Sequence, residues 1–411
     1  MAAGFLGWTL DSFDFFTVVF LIAPLSLQWH VSKALIVLSI TLTLAMRPLG
    51  ALLFGWLSDR YGRRRPLIAN VLFFSVMELA CGFAPNFHVF LLLRAFFGLG
   101  MGGEWGIGAA LTLETASRGR RGLLSGLLQS GYSMGYLLAA LAAHFALPVY
   151  GWRVMFWLGG VPALLALYVR WSVPESRAWQ THRPASSRAL FAELARYRRL
   201  LLYLLLLMTL MMFLSHGTQD LYPDFLTTAR HLPPALASNL AIAYNLAAIA
   251  GAVFFGWLSN STGRRYAMLA ALALALAAIP AWAFAHTFLF LVLGAILMQT
   301  GVQGAWGIIP AHLTELSPPA ARSLAPGLMY QLGILIAAPT STLEYWLRDH
   351  FGYSRALAGF ELVNICLLGL VIFAGSERTG YEFMAPAATA KCQTKRDEPV
   401  LMPEQPPGVQ D

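Results

Sequence analysis

The sequence predicts an all-α membrane protein of twelve transmembrane helices, arranged as two pseudo-symmetric six-helix bundles. Three observations predict this fold: the composition, the spacing of apolar stretches and an internal repeat. Of the 411 residues, 58% are hydrophobic and only 12% are charged, whereas a soluble domain carries about 25% charged residues. The lipid bilayer is therefore the predicted environment of the chain.

Twelve apolar stretches appear when the chain is divided at its charged or Pro- and Gly-rich breaks. Each is close to the roughly 20 residues that an α-helix needs to cross the hydrocarbon core. They cover approximately residues 4–28, 34–57, 66–84, 87–110, 122–146, 152–171, 199–226, 236–258, 266–284, 287–309, 321–345 and 356–375. Each stretch therefore predicts one transmembrane helix.

An internal repeat relates the two halves of the chain. The tetrapeptide Gly-Trp-Leu-Ser occurs at residues 55–58 and again 201 residues later, at 256–259. The same shift relates Gly62, Arg63 and Arg64 to Gly263, Arg264 and Arg265, Gly103 to Gly304, Trp105 to Trp306, Glu114 to Glu315 and Gly151 to Gly352. A constant offset over about a hundred residues predicts two homologous six-span halves. Because six is an even number, both halves begin on the same side of the membrane, and the repeat is parallel. A binding site is then expected between the halves.

The chain divides into four predicted parts. Residues 1–171 form the N-terminal six-helix bundle, 172–198 a cytoplasmic linker, 199–375 the C-terminal bundle and 376–411 a disordered cytoplasmic tail. The linker is rich in charge, Ser and Pro, and its residues 189–199 predict a short amphipathic helix on the inner surface. No Lys or Arg precedes the first apolar stretch, which argues against a cleaved signal peptide.

Positive charge is placed unevenly between the two sides of the membrane. Of the 28 Lys and Arg residues, 21 fall in the loops, linker and tail on one side. The other side holds five, namely Lys33, Arg153, Arg230, Arg348 and Arg355. Because cytoplasmic loops carry the excess of Lys and Arg, both termini are predicted to be cytoplasmic in a multi-pass protein of the cell (inner or plasma) membrane. This placement also argues against nucleic acid as the partner that a net charge of +8 would suggest.

The sequence gives little evidence for a metal site, a cofactor or an enzymatic function. The cysteines at 81, 366 and 392 support neither a disulfide framework nor a metal site, so neither a metal nor another cofactor is expected. The sequence also contains no metal-ligand cluster or phosphate loop. An enzymatic function is therefore not expected.

A polar segment, residues 215–220, directly follows the uncharged run 200–214 within the seventh predicted span. An ionisable side chain in hydrocarbon costs roughly 2.5 to 3.5 kcal/mol on insertion scales, so His216 and Asp220 are expected to face the protein interior or a water-filled cavity. They lie one helical turn apart, with Ser215 and Gln219 beside them. The stretch thus predicts a polar stripe that holds a proton and an anionic or hydroxylated ligand, although a buried His also serves as a hydrogen-bonded structural residue.

Span one carries a second polar face. Asp11, Asp14 and Thr17 recur at three-residue spacing and therefore share one side of a helix. Two carboxylates at a low-dielectric cavity bind protons readily, because desolvation and mutual repulsion disfavour their charged forms. Asp11 and Asp14 are therefore candidate proton carriers. In the alternative interpretation, one of them merely neutralises Arg47 or Arg94.

Arg47 is expected near the middle of the membrane. It precedes Asp59 by twelve residues, which is about 18 Å along a helix. Its planar guanidinium suits bidentate binding of a carboxylate. That carboxylate belongs either to the substrate or to Asp11 or Asp14 in a structural pair.

Three further buried charges need partners. Arg94 and Glu104, ten residues apart in span four, cannot pair within one helix. A structural salt bridge is expected for Arg94, and contact with the substrate is the alternative. Glu361 is expected to pair with Arg355 or to meet water.

The loop at residues 55–65, with Asp59, Arg60, Gly62, Arg63 and Arg64, resembles the signature between spans two and three of the major facilitator superfamily. The resemblance implies that Asp59 caps a neighbouring helix end and pairs with arginines, latching the inner side of the protein. The second copy keeps Arg264 and Arg265 but has Asn260 at the position of Asp59, so its latch is expected to be weaker. In the alternative interpretation, the arginines serve topology alone.

Span seven is similar to the sialate:proton symporter family, and especially to its lactate and pyruvate permease branch, whose motif is N-x-x-S/T-H-x-S-Q-D-x-x-x-T. Ser215, His216, Gln219 and Asp220 match it, Thr218 replaces a serine, and Met212 and Asp224 stand where Asn and Thr are expected.

The resemblance implies a monomeric, proton-coupled symporter that imports a small monocarboxylate such as lactate or pyruvate by alternating access. Arg47, Ser215, His216 and Gln219 are the predicted substrate-binding residues, and Asp11, Asp14, His216 and Asp220 are the predicted proton-coupling residues. Another organic acid, namely sialic acid, a dicarboxylate or an aromatic acid, is the alternative substrate. A nutrient sensor without transport is the alternative function.

Overall fold

The computed structural model describes residues 2–160 and 174–383, and those residues form helices and connecting loops. The helices of the N-terminal half are α1 (Ala2–Phe20), α2 (Ile22–Trp29), α3 (Lys33–Tyr61), α4 (Arg64–Cys81), α5 (Phe87–Glu114), α6 (Arg121–Phe145) and α7 (Trp152–Leu158), with short turns at Arg118–Arg120 and Leu147–Tyr150. The linker contributes α8 (Arg177–His182) and α9 (Ser187–Arg196).

The C-terminal half repeats this order of helices. It contains α10 (Arg198–Gln219), α11 (Pro234–Thr262), α12 (Arg264–Ile279), α13 (Phe288–Leu316), α14 (Leu324–Ala337), α15 (Thr340–Phe351) and α16 (Tyr353–Ala374). Short helical segments follow or connect them at Tyr222–Asp224, Phe225–Ala229, Pro280–Phe284 and Pro319–Ala321.

The helices match the predicted spans. Among the described residues, six helical segments are long and apolar enough to cross a membrane, and α1 with α2, bent by 55°, makes a seventh. Helices α4, α5 and α6 are not among them, and the predicted span 321–345 is divided between α14 and α15. The predicted span at 152–171 begins as α7 and then leaves the described residues. The all-helical architecture confirms the predicted fold class.

The predicted duplication is visible in the backbone. Gly62 and Gly263, which are 201 residues apart, end α3 and α11 with φ values of 113° and 93°. Gly151 and Gly352, at the same offset, precede α7 and α16 with φ values of 77° and 81°. Residues with a Cβ rarely adopt this region, so each pair marks the same turn in both halves.

Glycines also let neighbouring helices touch. A Cβ on Gly102 of α5 would overlap the carbonyl of Arg47 on α3, and one on Gly251 of α11 would overlap the carbonyl of Thr300 on α13. Small residues at such crossings allow close backbone contact in the membrane. This close packing of α5 on α3 holds Arg47 at a fixed depth.

The two halves meet at the end of the molecule that carries the loops at Gly62 and Gly263, here called the arginine-rich end. Within residues 2–160 and 174–383, every hydrogen bond or ion pair between the halves lies at this end or near mid-height. The opposite end, here called the open end, has none among those residues. The space between the halves is therefore closed at the arginine-rich end.

The linker lies against this closed end. Glu175 accepts a hydrogen bond from the backbone N–H of Arg63 (2.9 Å), and Trp179 Nε1 donates to the carbonyl of Asp59 (2.7 Å). The predicted amphipathic helix forms as α9, which is capped by Ser186 and buries Leu190 against the segment around Ala321.

The start of the predicted disordered tail is ordered. Residues 376–383 pack at the arginine-rich end, where Glu377 accepts the backbone N–H of Arg265 at 2.8 Å and the ring of Phe383 is buried beneath the guanidinium of Arg121. These contacts move the boundary of the predicted tail beyond Phe383. The remaining residues, 384–411, lie outside the described part of the chain.

Candidate functional site

Arg47 lies in the interior, on the face of α3 that packs against α5. Its side chain is 3% exposed, and its Nε and Nη2 have no hydrogen-bond partner among the described residues. Asp11 and Glu104 lie close enough to interact with it electrostatically. Neither Asp11 nor Asp14 hydrogen bonds to it, so the predicted structural pair is not formed. A buried guanidinium with free N–H groups requires an acceptor, and a carboxylate ligand supplies one.

Aromatic rings from both halves surround this guanidinium and are here called the aromatic cluster. Trp105 stacks on Tyr330 with ring centroids 4.4 Å apart, and Trp8 stacks on Tyr132 at 5.6 Å. The edges of Trp8 and Trp306 meet Tyr330 at 6.1 and 5.9 Å. Tyr132 and Tyr330 both lie within electrostatic range of Arg47. The cluster therefore places aromatic rings of both halves beside a charge.

The polar stripe of α10 faces the same space from the other half. His216 Nδ1 lies 3.1 Å from Asp220 Oδ2, and these side chains are 35% and 39% exposed. Ser341 donates to the same Asp220 oxygen at 3.0 Å. Tyr132 interacts electrostatically with both Arg47 and Asp220. Tyr132 thus lies within electrostatic range of both the predicted substrate-binding arginine and the predicted coupling pair.

The other two stripe residues differ in their contacts. Gln219 donates to Gln299 Oε1 at 2.9 Å, and Gln299 in turn donates to the carbonyl of Thr218 at 3.3 Å. Ser215 is half-buried at the stripe, and its carbonyl accepts from the Thr218 hydroxyl at 3.3 Å. Gln219 is therefore partly committed to α13, while Ser215 keeps its hydroxyl for a ligand.

Buried carboxylates occupy the N-terminal half. Asp11, Asp14 and Glu104 are buried, and none of their carboxylate oxygens has a partner among the described residues. Arg94 pairs with Glu78 at 2.6 Å, which confirms the structural salt bridge expected for Arg94. Sequence reasoning missed Glu78, although it is the one ionisable side chain within the predicted span 66–84.

The charge balance of this group has a chemical consequence. Four buried carboxylates face two buried guanidiniums, Arg47 and Arg94, so the fully ionised set carries two uncompensated negative charges. Buried charge without a partner is expensive. The set therefore needs protons or a cation to be stable in the membrane.

The predicted latch of the first copy crosses between the halves. Asp59 accepts hydrogen bonds from the backbone N–H groups of Ser323 (3.2 Å) and Leu324 (2.8 Å), at the start of α14. It also pairs with Arg63, which in turn binds Glu114 through Nη2 (2.9 Å) and Nε (3.3 Å). A carboxylate at a helix N-terminus is favourable for both hydrogen bonding and the helix dipole.

Arg60 and Arg64 do not join this latch. Arg60 Nη1 donates to the carbonyl of Pro184 in the linker at 3.4 Å, and the backbone N–H of Arg64 donates to Glu175 at 3.3 Å. Gly62 supplies the positive-φ turn between them. Their predicted latch role is therefore wrong in detail, because both residues contact the linker rather than the opposite half.

The second copy forms the symmetry-related contact without a charge. Asn260 Oδ1 accepts the backbone N–H of Gly122 at 2.8 Å, and Gly122 is the counterpart of Ser323 at the 201-residue offset. Arg264 binds Glu315 at 2.9 and 3.0 Å, while Arg265 turns away to the carbonyl of Ile372. A neutral acceptor makes a weaker bond than a carboxylate, in line with the weaker latch expected here.

Comparisons with known proteins agree with this geometry. The Major Facilitator Superfamily family model matches residues 4–222, and the Sugar (and other) transporter model matches residues 202–374. Similar solved structures include the proton:xylose symporter XylE (TM-score 0.75, 19% identity, 92% of this chain and 96% of that one) and the human organic anion transporter MFSD10 (TM-score 0.76, 18% identity, 90% and 98%). They show the shared fold.

Three relatives are similar over most of the chain. A carboxylic acid transporter protein homolog of Saccharomyces cerevisiae is 29% identical, over 91% of this chain and 65% of its own length. A probable 4-methylmuconolactone transporter of Cupriavidus pinatubonensis is 31% identical, over 88% and 86%, and the sialic acid transporter NanX of Escherichia coli is 26% identical, over 90% and 93%. The two-half fold, the latch pairs and these matches together show that the chain belongs to the Major Facilitator Superfamily.

Proposed function

We propose that this protein is a proton-coupled symporter that imports a small organic monocarboxylate, with lactate and pyruvate as the first candidates. The observation that carries the proposal is the buried guanidinium of Arg47, whose Nε and Nη2 lack partners among the described residues. Relatives named as carboxylic acid, muconolactone, sialic acid and niacin transporters support an organic-acid substrate.

The substrate carboxylate would dock on Arg47 from the open end. The fork of a guanidinium binds a carboxylate through two parallel hydrogen bonds. The hydroxyl of lactate or the keto group of pyruvate would then lie toward the stripe on α10, where Ser215, His216 and Gln219 offer donors.

Proton coupling follows from charge balance. The carboxylates around Arg47 and Arg94 outnumber the guanidiniums by two, so an incoming anion would add to an existing negative excess. Protonation of Asp11 or Asp14 removes part of that excess and lets the anion occupy Arg47. The loaded carrier then holds no additional charge, which favours its passage through the closed intermediate.

Sidedness follows from the count of basic residues. The arginine-rich end carries the loops and linker that hold most of the Lys and Arg, and such loops are cytoplasmic. We therefore place both termini in the cytoplasm of a monomeric carrier in the cell membrane. In this orientation the closed arginine-rich end makes the structure an outward-facing state.

The test is uptake of labelled lactate into proteoliposomes, with and without an inward proton gradient. Wild-type protein should accumulate lactate only with the gradient, and Arg47→Ala should not accumulate it. Arg153→Ala is the matched control, since Arg153 lies at the open end and contacts the ring of Trp152. Uptake that ignores the gradient would exclude proton coupling.

The aromatic cluster favours a second candidate, a planar unsaturated or aromatic acid. Stacked faces such as Trp105 on Tyr330 suit a flat ligand beside a charge, and relatives named for muconate and niacin transport support this class. Competition of labelled lactate by nicotinate, sialic acid and succinate would rank these acids. Counterflow of the preferred substrate separates a carrier from a nutrient sensor, which binds ligand without exchanging it.

A further inference from the structure

A second set of buried acids lies in the C-terminal half, apart from the carboxylates around Arg47. Glu344 on α15 and Glu361 on α16 are 1% and 0% exposed, and their four carboxylate oxygens have no hydrogen-bond partner within the described residues. Glu361 presses against α10, because a Cβ on Gly217 would overlap its Oε1. The expectation that Glu361 pairs with Arg355 or meets water is therefore wrong.

Cations near this part of the bundle are engaged elsewhere. Arg230 donates to the carbonyl of Ala283 at 2.6 Å and to Ser354 at 3.1 Å. Arg348 binds Asp349 at 2.9 Å and lies 4.0 Å from Asp224. These contacts hold both arginines at the open end, and neither compensates the two buried glutamates.

The groups that do face the glutamates are acidic. Glu361 has Glu344 as its electrostatic neighbour, and Glu344 has Asp220. From α10, His216 is paired with Asp220. From α12, which also packs on α16, Arg264 and Arg265 lie at the arginine-rich end. Among the described residues, the pair is therefore left with uncompensated negative charge unless protons bind it.

Asn364 places a buried amide oxygen without a donor beside Glu361, among the described residues. It lies one turn beyond Glu361 on α16, is 4% exposed and has its side chain within hydrogen-bonding reach of that carboxyl group. Its Nδ2 donates to the carbonyl of Leu210 at 3.3 Å, which leaves Oδ1 without a donor in the described structure. An amide oxygen needs a hydrogen, and a protonated Glu361 provides an O–H at that place.

A path connects this pair to the space between the halves. Asp220 is half exposed there, and Ser341, one turn before Glu344 on α15, donates to it. Glu344 lies within electrostatic range of Asp220, and Glu361 lies within electrostatic range of Glu344. The three carboxyl groups therefore form a series that runs from the accessible stripe into the bundle.

We infer that Glu344 and Glu361 form a second proton-binding site, filled through the His216–Asp220 pair and separate from the carboxylates around Arg47. In the first transfer the O–H bond breaks at Asp220 and forms at Glu344, in the second it breaks at Glu344 and forms at Glu361, and the positive charge moves with the proton. The role of this site in coupling rests on the proposed symport, whereas proton occupancy of the glutamates is a property of the protein alone.

The test is infrared spectroscopy of the purified full-length protein in lipid nanodiscs, titrated with pH in H₂O and in D₂O. Wild type should show protonated-carboxyl C=O bands that shift on deuteration, and Glu361→Gln and Glu344→Gln should each lose intensity in them. Asp349→Asn is the matched control, since Asp349 is exposed at the open end. Should Glu361→Gln fail to fold, Glu344→Gln decides the question.

Two results would overturn the inference. The first is that both glutamine variants keep the wild-type bands. The second is that added Na⁺, at constant pH, removes the bands, which would make the site a sodium site. Neither result depends on lactate uptake. Wild-type uptake that is indifferent to a pH gradient would refute the proposed symport and leave the spectra to decide the proton site.

Discussion

The carboxylate of Asp59 on α3 accepts the backbone N–H of Leu324 at 2.8 Å, so a residue of one half caps the first turn of a helix in the other half. Asp59 is fully buried, and its desolvation is offset by Arg63 and by this helix N-terminus. The closed arginine-rich end therefore depends on a charge that keeps Arg63 but loses two backbone N–H partners when the halves separate.

Asp59→Asn should weaken this closure. The amide keeps the shape but makes neutral hydrogen bonds, and a bond to a charged group contributes about 1.5 to 3 kcal/mol compared with about 1 for a neutral one. Hydrogen–deuterium exchange should become faster at the start of α14 near Leu324. Asn260→Gln is the control at the symmetry-related contact, and unchanged exchange in Asp59→Asn would contradict the latch.

Gly126→Leu should prevent closure at the second seam between the halves, where α6 of the N-terminal half meets α11 of the C-terminal half. A Cβ on Gly126 of α6 would overlap the carbonyl of Ala252 on α11, whereas Gly119 has no atom near its would-be Cβ. Gly126→Leu should therefore favour the state open at the arginine-rich end, and Gly119→Leu should behave as wild type. The measurement is accessibility of a cysteine placed at Asn260 to a membrane-impermeant thiol reagent, and equal labelling in both variants would refute the prediction.

Arg47→Lys should lower apparent substrate affinity although it keeps the positive charge. An ammonium is a point charge without the planar fork, and each lost charge-assisted hydrogen bond costs about 1.5 to 3 kcal/mol, or about 10- to 100-fold in affinity. The measurement is substrate binding by calorimetry, compared with the same substitution at Arg153. An affinity within error of wild type would remove Arg47 from the binding site.

Asp220→Asn should abolish accumulation of substrate while counterflow continues. The asparagine still accepts from Ser341 but cannot take up a proton, so exchange persists and gradient-driven uptake stops. Asp224→Asn is the control, because Asp224 accepts from Tyr353 at 2.6 Å and lies beyond the stripe. Wild-type accumulation by Asp220→Asn would remove Asp220 from the coupling role.

Acid should release residues 376–383 from the arginine-rich end. Burial alone would raise the pKa of Glu377, but the Thr379 hydroxyl and the backbone N–H groups of Arg265 and Arg264 outweigh it and hold the pKa below its ordinary value of 4.5. A lowered pKa stabilises the contact above the unfolded-state pKa, and that stability is lost as the pH falls through the folded-state pKa.

Limited digestion by an acid-active protease measures this release. Cleavage near Phe383 should increase as the pH falls below about 4.5 in the wild type. Glu377→Gln should be cleaved at every pH, because it lacks the ionised carboxylate. A cleavage rate that is independent of pH in wild type would contradict the role of Glu377.

The sequence predicted the fold and the local geometry of span seven, since hydropathy identifies spans and a four-residue spacing places His216 beside Asp220. The rotation of each helix about its own axis was harder to predict, because transmembrane helices lack a water-facing side. Glu361 was therefore assigned to water although it faces Gly217, and Glu78 was overlooked although it binds Arg94.

Contacts that arise only on folding were also outside the reach of sequence patterns. Arg60 and Arg64 share the signature of the latch, yet they contact the linker, where Pro184 and Glu175 accept their N–H groups. Trp8 joins Tyr132 and Tyr330 through helix packing between the halves, and its position in span one carried no signal for that. The net charge of the buried groups could be counted only after the structure showed which charged side chains lie together.

The two seams between the halves both hold buried charge. At one, Asp59 accepts two backbone N–H groups of the opposite half, and at the other, Arg121 lies 3.7 Å from Glu315 beside the neutral contact of Asn260 with Gly122. Dissolved salt screens buried charges much less than exposed ones. Closure at the arginine-rich end is therefore expected to be insensitive to the surrounding electrolyte.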